Sequence, residues 1–190
     1  MRAPARSIEP IEILVVCTGN ICRSPMGEVL LRAHLHANGV DARVHSAGTT
    51  AWGGAATTYA IEVMRDRGID LSGHSSRQLE SAHIADADLV ITMTRSHLWR
   101  VCAVAPDASE RTFLLGELAR LGQVVGRRRE DEGVREWAAR VAATRGDVQV
   151  VGRMDDEVAD PVGEPVEVYR STADRLDRDL WTIATLLAPE

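Results

Sequence analysis

The chain has 190 residues, of which 45% are hydrophobic and 26% are charged, so it is long enough to bury one core and short for two independent ones. Its formal net charge of -6 provides no general attraction to nucleic acid or to an anionic membrane. Any recognition of phosphate must therefore be local.

The first residues give no sign of a targeting segment. Residues 1–10 lack an apolar core of signal-peptide length, and the apolar run after them is far shorter than the ~20 residues that cross a bilayer. We therefore expect a cytoplasmic protein with no membrane insertion, and we interpret residues 1–10 as a flexible N-terminal extension.

The first predicted elements are a strand, a loop and a helix. Residues 11–16 form a short apolar, β-branched run that ends abruptly in CTGN, which is typical of a fully buried strand leading into a loop. The helix that follows has Ser24 as a candidate N-cap, Pro25 at its first position and Gly39 as a stop signal.

The same alternation of strand and helix continues along the chain. It predicts strands at residues 42–45, 89–93 and 111–115, and helices at 55–67, from 96 onwards and at about 166–187. Such alternation favours a single α/β domain, with a four-stranded parallel sheet flanked by helices on both faces and a loop after the first strand.

Residues 122–153 are unusual because a basic triplet and an acidic run precede a predicted helix. The apolar residues Val134, Trp137, Ala138 and Val141 share one face of that helix. Two interpretations remain open: a solvated surface helix with one apolar stripe, or a lid or partner surface near the active site.

The loop sequence CTGNICRSP carries the chemistry, because Cys17 and Arg23 are separated by five residues and a hydroxyl residue follows. Backbone amides at a helix N-terminus favour a dianion, and an arginine there can hold two phosphate oxygens. The same positive surroundings favour the thiolate of Cys17. The alternative is an inert, buried Cys17 with Arg23 in a surface ion pair.

A second feature is Asp160, which precedes a proline just before the last predicted helix. Phosphoryl transfer to a thiolate needs an acid to protonate the leaving group, and then a base to activate water. An Asp-Pro pair by itself is usually only a turn.

Together, CTGNICRSP, SAGT, HSSRQ and DPVG, in this order, resemble the low-molecular-weight protein tyrosine phosphatase family over nearly the whole chain. The resemblance implies Cys17 as nucleophile, Arg23 as phosphate ligand and Asp160 as acid and then base. It also implies a cofactor-independent, metal-free hydrolase. The remaining residues implied for the phosphate loop and its support are Thr18, Gly19, Asn20, Ile21, Cys22 and Ser24, with Ser46 and His74 behind them.

Two residues bear on specificity within that family. Ile21 matches tyrosine-type loops, whereas members that resemble arginine phosphatases carry a smaller Thr there, and Trp52 occupies the place of a rim aromatic that stacks on a phenyl ring. Where many eukaryotic members have aromatic residues after the Asp-Pro pair, this chain has Val162 and Gly163. The expected substrate is a tyrosine-phosphorylated protein, with a tyrosine kinase as one candidate.

Several alternatives stay open at this point. The scaffold could act on phosphoarginine or on a small phosphorylated metabolite, or it could be a noncatalytic phosphate-binding module. Arsenate reduction is disfavoured, because that chemistry needs two further cysteines near the third strand and only Cys102 lies there. The family resemblance also suggests a reversible disulfide between Cys17 and Cys22. The sequence predicts no oligomeric state. Residues 122–153 make the chain longer than is usual in the family.

Overall fold

Four parallel strands form the centre of the protein, and their carboxyl ends meet at one edge. The computed structural model describes residues 10–145 and 152–190. The strands are β1 (Ile11–Cys17), β2 (Ala42–Gly48), β3 (Leu89–Thr92) and β4 (Thr112–Leu114), in the order β2-β1-β3-β4. Cys17 pairs with Gly48 and Val16 with Thr92, so β1 delivers Cys17 to the edge where parallel α/β sheets bind ligands.

Helices cover both faces of the sheet, as the sequence predicts. In β1, Ile13 and Val15 belong to a core that includes α1 (Arg23–Ala37) and α7 (Val166–Leu187), whereas Leu14 and Val16 face α3 (Ser81–Asp86) and α4 (Arg95–Val104). Burial on both faces explains why β1 is a continuous apolar run rather than an alternating one. The remaining helices are α2 (Thr58–Arg65), α5 (Leu115–Val125) and α6 (Val134–Ala143), with 3-10 turns at Pro106–Arg111 and Met154–Asp156.

The element boundaries differ from the predicted ones in instructive ways. The first helix begins at Arg23, with Cys22 at the N-cap position, so Ser24 is not its cap. The Ser24 hydroxyl is engaged by the Cys17 thiol and the Asn20 amide instead. β2 extends beyond its predicted end to Gly48, where it supports the loop after β1. α4 begins one residue earlier than predicted.

Two helices were not predicted from the sequence. α3 has only six residues, and α5 follows β4 directly, without the turn residues that would mark its start. The last helix agrees with its prediction from end to end, and the apolar residues of its stripe that the sequence identified are buried, from Tyr169 to Leu187.

The unusual segment at 122–153 forms a packed structural layer, as far as it is described. Trp137 on α6 is fully buried, and its indole N–H donates to the carbonyl of Gly126 at 3.0 Å. The guanidinium of Arg145 lies 4.2 Å from the centre of the Phe113 ring and pairs with the buried carboxylate of Glu117. Residues 146–151 of this segment, and residues 1–9 of the predicted flexible extension, lie outside the described residues.

α6 agrees with the first of the two interpretations, a surface helix with one apolar stripe. Its four stripe residues are buried against the core, and the helix packs on α5, β3 and the turn at Pro106–Arg111. The cleft at the carboxyl end of β1 is lined by other parts of the chain. The structure therefore gives no support to a lid formed by this helix.

Candidate active site

The nucleophile candidate lies at the end of β1, directly beneath the start of α1. Cys17 is 2% exposed, and its Sγ lies 3.0 Å from Ser24 Oγ. Ser24 Oγ already accepts a hydrogen bond from the Asn20 side-chain amide at 2.9 Å. Its own proton is therefore available to the sulfur, which is the arrangement that stabilises a thiolate.

Arg23 is the first residue of α1 and almost completely buried. Its Nη1 donates to the carbonyl of Val158 at 3.1 Å, and its Nη2 forms an ion pair with Asp160. Within residues 10–145 and 152–190, Nε has no hydrogen-bond partner. A buried donor without a partner is costly, and this one belongs to a side chain that lines the cleft, where an anionic oxygen would satisfy it.

Asp160 reaches the cleft from a loop distant in sequence. Its side chain is 44% exposed, and Oδ1 accepts the backbone N–H of Val162 at 3.2 Å, which forms a short turn at the proline. The loop is tied to the sheet because the N–H of Val158 donates to the carbonyl of Met93 at 2.8 Å. The acid candidate and the nucleophile candidate thus line the same cleft, as the sequence predicts.

Asn20 lies at the centre of the hydrogen bonds that hold the loop. It is fully buried and has a φ of 53°, a left-handed conformation that asparagine tolerates better than most residues. Its side-chain amide donates to Ser24 and Ser46, each at 2.9 Å, and its side-chain oxygen accepts the N–H of Arg77 at 2.9 Å. Ser46 in turn donates to the buried carboxylate of Glu28 at 2.6 Å.

Two further segments brace the loop from outside. The imidazole Nε2–H of His74 donates to the carbonyl of Asn20 at 2.8 Å, and the Ser76 hydroxyl donates to the carbonyl of Gly19 at 2.9 Å. At the end of β2, Gly48 must be glycine because an added Cβ would lie 2.5 Å from the carbonyl oxygen of Thr18. Ser46 and His74 thus both hydrogen-bond to Asn20 of the loop.

The rim of the cleft is partly apolar. Trp52 is 58% exposed and lies so close to Gly19 that a Cβ added there would be 3.1 Å from the indole ring. Ile21 and Val162 line the same cleft. Trp52 therefore lies at the rim of the cleft, which also carries aliphatic side chains.

Cys22 belongs to a different environment from Cys17. Its thiol lies 3.3 Å from the hydroxyl of Thr57 and 3.4 Å from the hydroxyl of Tyr169. Burial raises the pKa of the Cys22 thiol, while the two hydrogen bonds act in the opposite direction. Both cysteines are free thiols, and the suggested disulfide between them stays a prediction.

His97 touches the loop, and the sequence analysis did not identify it. It is 3% exposed, and its Nε2 lies 2.8 Å from the Thr18 hydroxyl. Burial, and then the positive charge of Arg23, lower the pKa of His97 to about 4, against an opposing effect of Asp160. Glu28 and Tyr169 were not identified from the sequence either, because no motif surrounds them and only folding brings them to the loop.

The described residues contain no group of three or more His, Cys, Asp or Glu side chains arranged to hold a metal ion. In the same part of the chain, no helix has both the length and the apolar character needed to cross a membrane.

Comparison with known proteins agrees with this geometry. Residues 12–123 match the family model described as low molecular weight phosphotyrosine protein phosphatase. The chain belongs to this family. Members of the family are protein phosphatases, which are hydrolases. Fold and enzyme class are therefore both established for the chain.

The relatives of this low molecular weight phosphatase fall into two named groups. A protein-arginine-phosphatase of Geobacillus stearothermophilus is 34% identical over 182 residues, covering 95% of this chain and 99% of the relative. The low molecular weight protein-tyrosine-phosphatase Etp of Escherichia coli K12 is 41% identical over 106 residues, covering 55% of this chain and 69% of the relative.

Solved structures show the same division. The Erwinia amylovora tyrosine phosphatase AmsI superposes with a TM-score of 0.71 at 27% identity, covering 96% of this chain and 97% of that one. A YwlE mutant from Bacillus subtilis superposes with a TM-score of 0.70 at 28% identity, covering 92% and 96%.

Proposed function

We propose that this phosphatase hydrolyses phosphotyrosine in proteins through a cysteinyl-phosphate intermediate. The observation that carries the proposal is the buried Arg23, whose Nε has no partner among the described residues, above a thiol that accepts a hydrogen bond from Ser24. Such a site binds a dianion and presents a nucleophile to its phosphorus.

In the first step, the thiolate of Cys17 attacks phosphorus as the bond from phosphorus to the phenolic oxygen breaks. Asp160, at the mouth of the cleft, gives its proton to that oxygen, so the leaving group departs as a neutral phenol. The loop amides and Arg23 stabilise the charge on the three equatorial oxygens of the transition state more strongly than the charge of the bound substrate.

In the second step, water replaces the phenol opposite the sulfur. Asp160, now a carboxylate, takes a proton from the water as its oxygen attacks phosphorus and the phosphorus–sulfur bond breaks. Inorganic phosphate leaves, and Cys17 returns as a thiolate that Ser24 stabilises. Asn20, Ser46 and His74 act by holding the loop and do not touch the reacting atoms.

The preference for a phenyl ring rests on the apolar rim. The exposed Trp52 indole lies against Gly19 at the rim, and Ile21 lines the same cleft. A phenyl ring between the two buries apolar area and stacks on the indole, an arrangement worth roughly 0.5–1.5 kcal/mol beyond its area burial.

Phosphoarginine is the second candidate substrate, and one observation favours it. Two relatives that align over nearly the full chain, in Geobacillus stearothermophilus and Bacillus subtilis, are both named protein-arginine-phosphatase. With that substrate the bond from phosphorus to nitrogen breaks, and Asp160 protonates the departing guanidine. The Ile21 side chain is the feature of this chain that argues against it.

The deciding experiment is side-by-side turnover of phosphotyrosyl, phosphoarginyl and phosphoseryl peptides by the reduced protein. We expect phosphotyrosine to be hydrolysed fastest, with no turnover by Cys17→Ser. An Ile21→Thr variant should shift the ratio of kcat/KM values toward phosphoarginine. A wild-type preference for phosphoarginine would reject the tyrosine proposal and retain the mechanism, whereas no turnover of any peptide would favour a metabolite phosphatase or a binding module.

The substrate is proposed to be a tyrosine-phosphorylated protein, with a tyrosine kinase as one candidate, and the location to be the cytoplasm. The relatives are named as phosphatases of phosphorylated proteins, which supports a protein substrate in general. Phosphoproteomics on cells that carry a Cys17→Ser variant would test the substrate, and fractionation of those cells would test the location.

A further inference from the structure

The imidazole ring of His97 has hydrogen-bond partners at both nitrogens, and these partners indicate which nitrogen carries its proton. On one side, the backbone N–H of Thr94 lies 3.1 Å from Nδ1, and the Thr94 hydroxyl, which can turn to donate as well, lies 2.9 Å from it. A backbone N–H can only donate, so Nδ1 must accept and carries no proton. The single proton of a neutral imidazole is then on Nε2, which lies 2.8 Å from the Thr18 hydroxyl oxygen.

The neutral form of the ring is the one that its surroundings favour. The ring is buried, and the pKa of His97 is lowered to about 4 by burial and by Arg23. A doubly protonated ring would turn an N–H toward the N–H of Thr94. As long as the protein is folded and the His97 ring is neutral, Nε2 therefore donates to Thr18.

The consequence falls on the Thr18 hydroxyl. Its oxygen is occupied as an acceptor by His97, and the described part of the chain offers it no other hydrogen-bond partner. Thr18 is the residue after the nucleophile and lines the same cleft as Cys17, Arg23 and Asp160. Its proton is therefore free for another acceptor, and an anion bound in the cleft would supply one.

We propose that His97 is a positioning residue for phosphate binding, which holds Thr18 so that the threonine hydroxyl donates to an oxygen of the bound phosphoryl group. The inference rests on the proposed function, since it assumes that the cleft takes a phosphate group. It adds a side-chain donor to the loop amides and Arg23, and it assigns a role to the first turn of α4.

A double-mutant cycle with inorganic phosphate as the probe tests this assignment. Thr18→Val removes the hydroxyl at constant shape, and His97→Leu removes the donor while it fills the space. Each is expected to raise the inhibition constant of phosphate roughly tenfold, the loss of one hydrogen bond to a charged group. The double variant should be no worse than either single variant, because both remove the same interaction.

Two further variants separate positioning from packing. His97→Gln keeps an N–H donor near the position of Nε2 and should recover most of the phosphate affinity that His97→Leu loses. Trp99→Ala, two residues away on the same helix, removes a side chain that is 64% exposed and should leave phosphate affinity unchanged. Thermal unfolding of each variant shows whether it is folded.

Additive losses in the double variant, or a His97→Gln variant as weak as His97→Leu, would overturn the role of His97 and leave the proposed function intact. A wild-type protein that neither binds phosphate nor hydrolyses an aryl phosphate would overturn the proposed function, and this inference with it.

Discussion

Arg23 and Asp160 interact across the mouth of the cleft, and this contact links substrate binding to acid catalysis. Nη2 of Arg23 forms an ion pair with the Asp160 carboxylate, while Nη1 donates to the carbonyl of Val158. A phosphate dianion that binds Nε and shares Nη2 must approach the Asp160 carboxylate, which competes with it for that nitrogen. In the proposed mechanism the proton that Asp160 gives to the leaving group also removes this repulsion, so one proton serves both purposes.

This competition predicts opposite effects of Asp160→Asn on binding and on turnover. Inorganic phosphate should bind several-fold more tightly, because the repulsion between two anions is removed. The value of kcat for an aryl phosphate should fall by roughly 10²–10⁴, the usual contribution of a general acid. Steady-state kinetics with phosphate as inhibitor measure both. Glu164→Gln, an exposed carboxylate in the same loop, should change neither, and weaker phosphate binding by Asp160→Asn would contradict the competition.

His97 makes the stability of the folded protein depend on pH in a defined window. Its pKa falls from 6.5 to about 4 on folding, so between these values the unfolded chain binds a proton that the folded protein does not. Stability therefore decreases as pH falls through this window and is fully present above it. Between pH 7 and pH 4, wild type should lose on the order of 3 kcal/mol more than His97→Gln.

Urea unfolding of the two proteins at pH 7 and pH 4 gives that difference directly. Other titratable groups are common to both proteins and cancel. Equal losses of unfolding free energy in both would show that the histidine is not held neutral by its surroundings.

At the scale of elements, the segment from Gly126 to Arg145 stabilises the fold without approaching the cleft. α6 buries Trp137 completely, and the segment is joined to the rest of the chain by Arg145, which pairs with Glu117 and covers the Phe113 ring. β4 is the outermost strand on that side, and an uncovered edge strand is exposed to unwanted pairing. A structural role in covering the β4 side of the molecule follows.

Trp137→Ala should therefore separate stability from activity. Removal of a fully buried tryptophan typically costs about 3–5 kcal/mol of unfolding free energy, while kcat/KM at a temperature where the variant stays folded should match wild type. Trp99→Ala, at a tryptophan that is 64% exposed, is the matched control for stability. A large fall in kcat/KM of folded Trp137→Ala would revive the interpretation of this helix as part of the active site.

At the scale of the whole molecule, the cleft is assembled from parts of the chain that lie far apart. The loop after β1 is held by the end of β2, by His74 and Ser76 before α3, by His97 on α4 and by Val158 before α7. Such a site exists only when all of these elements are packed, because none of them holds the loop in place by itself. Phosphate binding and global folding are therefore coupled.

This coupling predicts that inorganic phosphate raises the melting temperature. At about 100 times its dissociation constant, phosphate should add about 2.7 kcal/mol to the unfolding free energy. Arg23→Met, which removes the guanidinium, should abolish the increase, whereas Arg43→Gln on the outer strand should retain it. Calorimetry at several phosphate concentrations makes the comparison, and an equal increase for Arg23→Met would indicate that phosphate acts elsewhere or nonspecifically.

Much of this protein could be predicted from local sequence. The apolar run of β1, the Cys17 to Arg23 spacing and the stripe of α7 are local patterns, because a buried strand, a helix start and an amphipathic face each involve neighbouring residues. The boundaries of α1 and β2 were less predictable. They depend on the Ser24 hydroxyl and on Gly48, whose partners lie in other segments.

The fold class and the family followed from consecutive residues, because the strand and helix patterns and the CTGNICRSP spacing are local and have a physical meaning. Only the tertiary structure decided that Asp160 meets Arg23, that α6 stays away from the cleft and that His97 reaches Thr18. Those relations depend on how helices pack on the two faces of the sheet, and the packing brings together side chains that no local pattern connects.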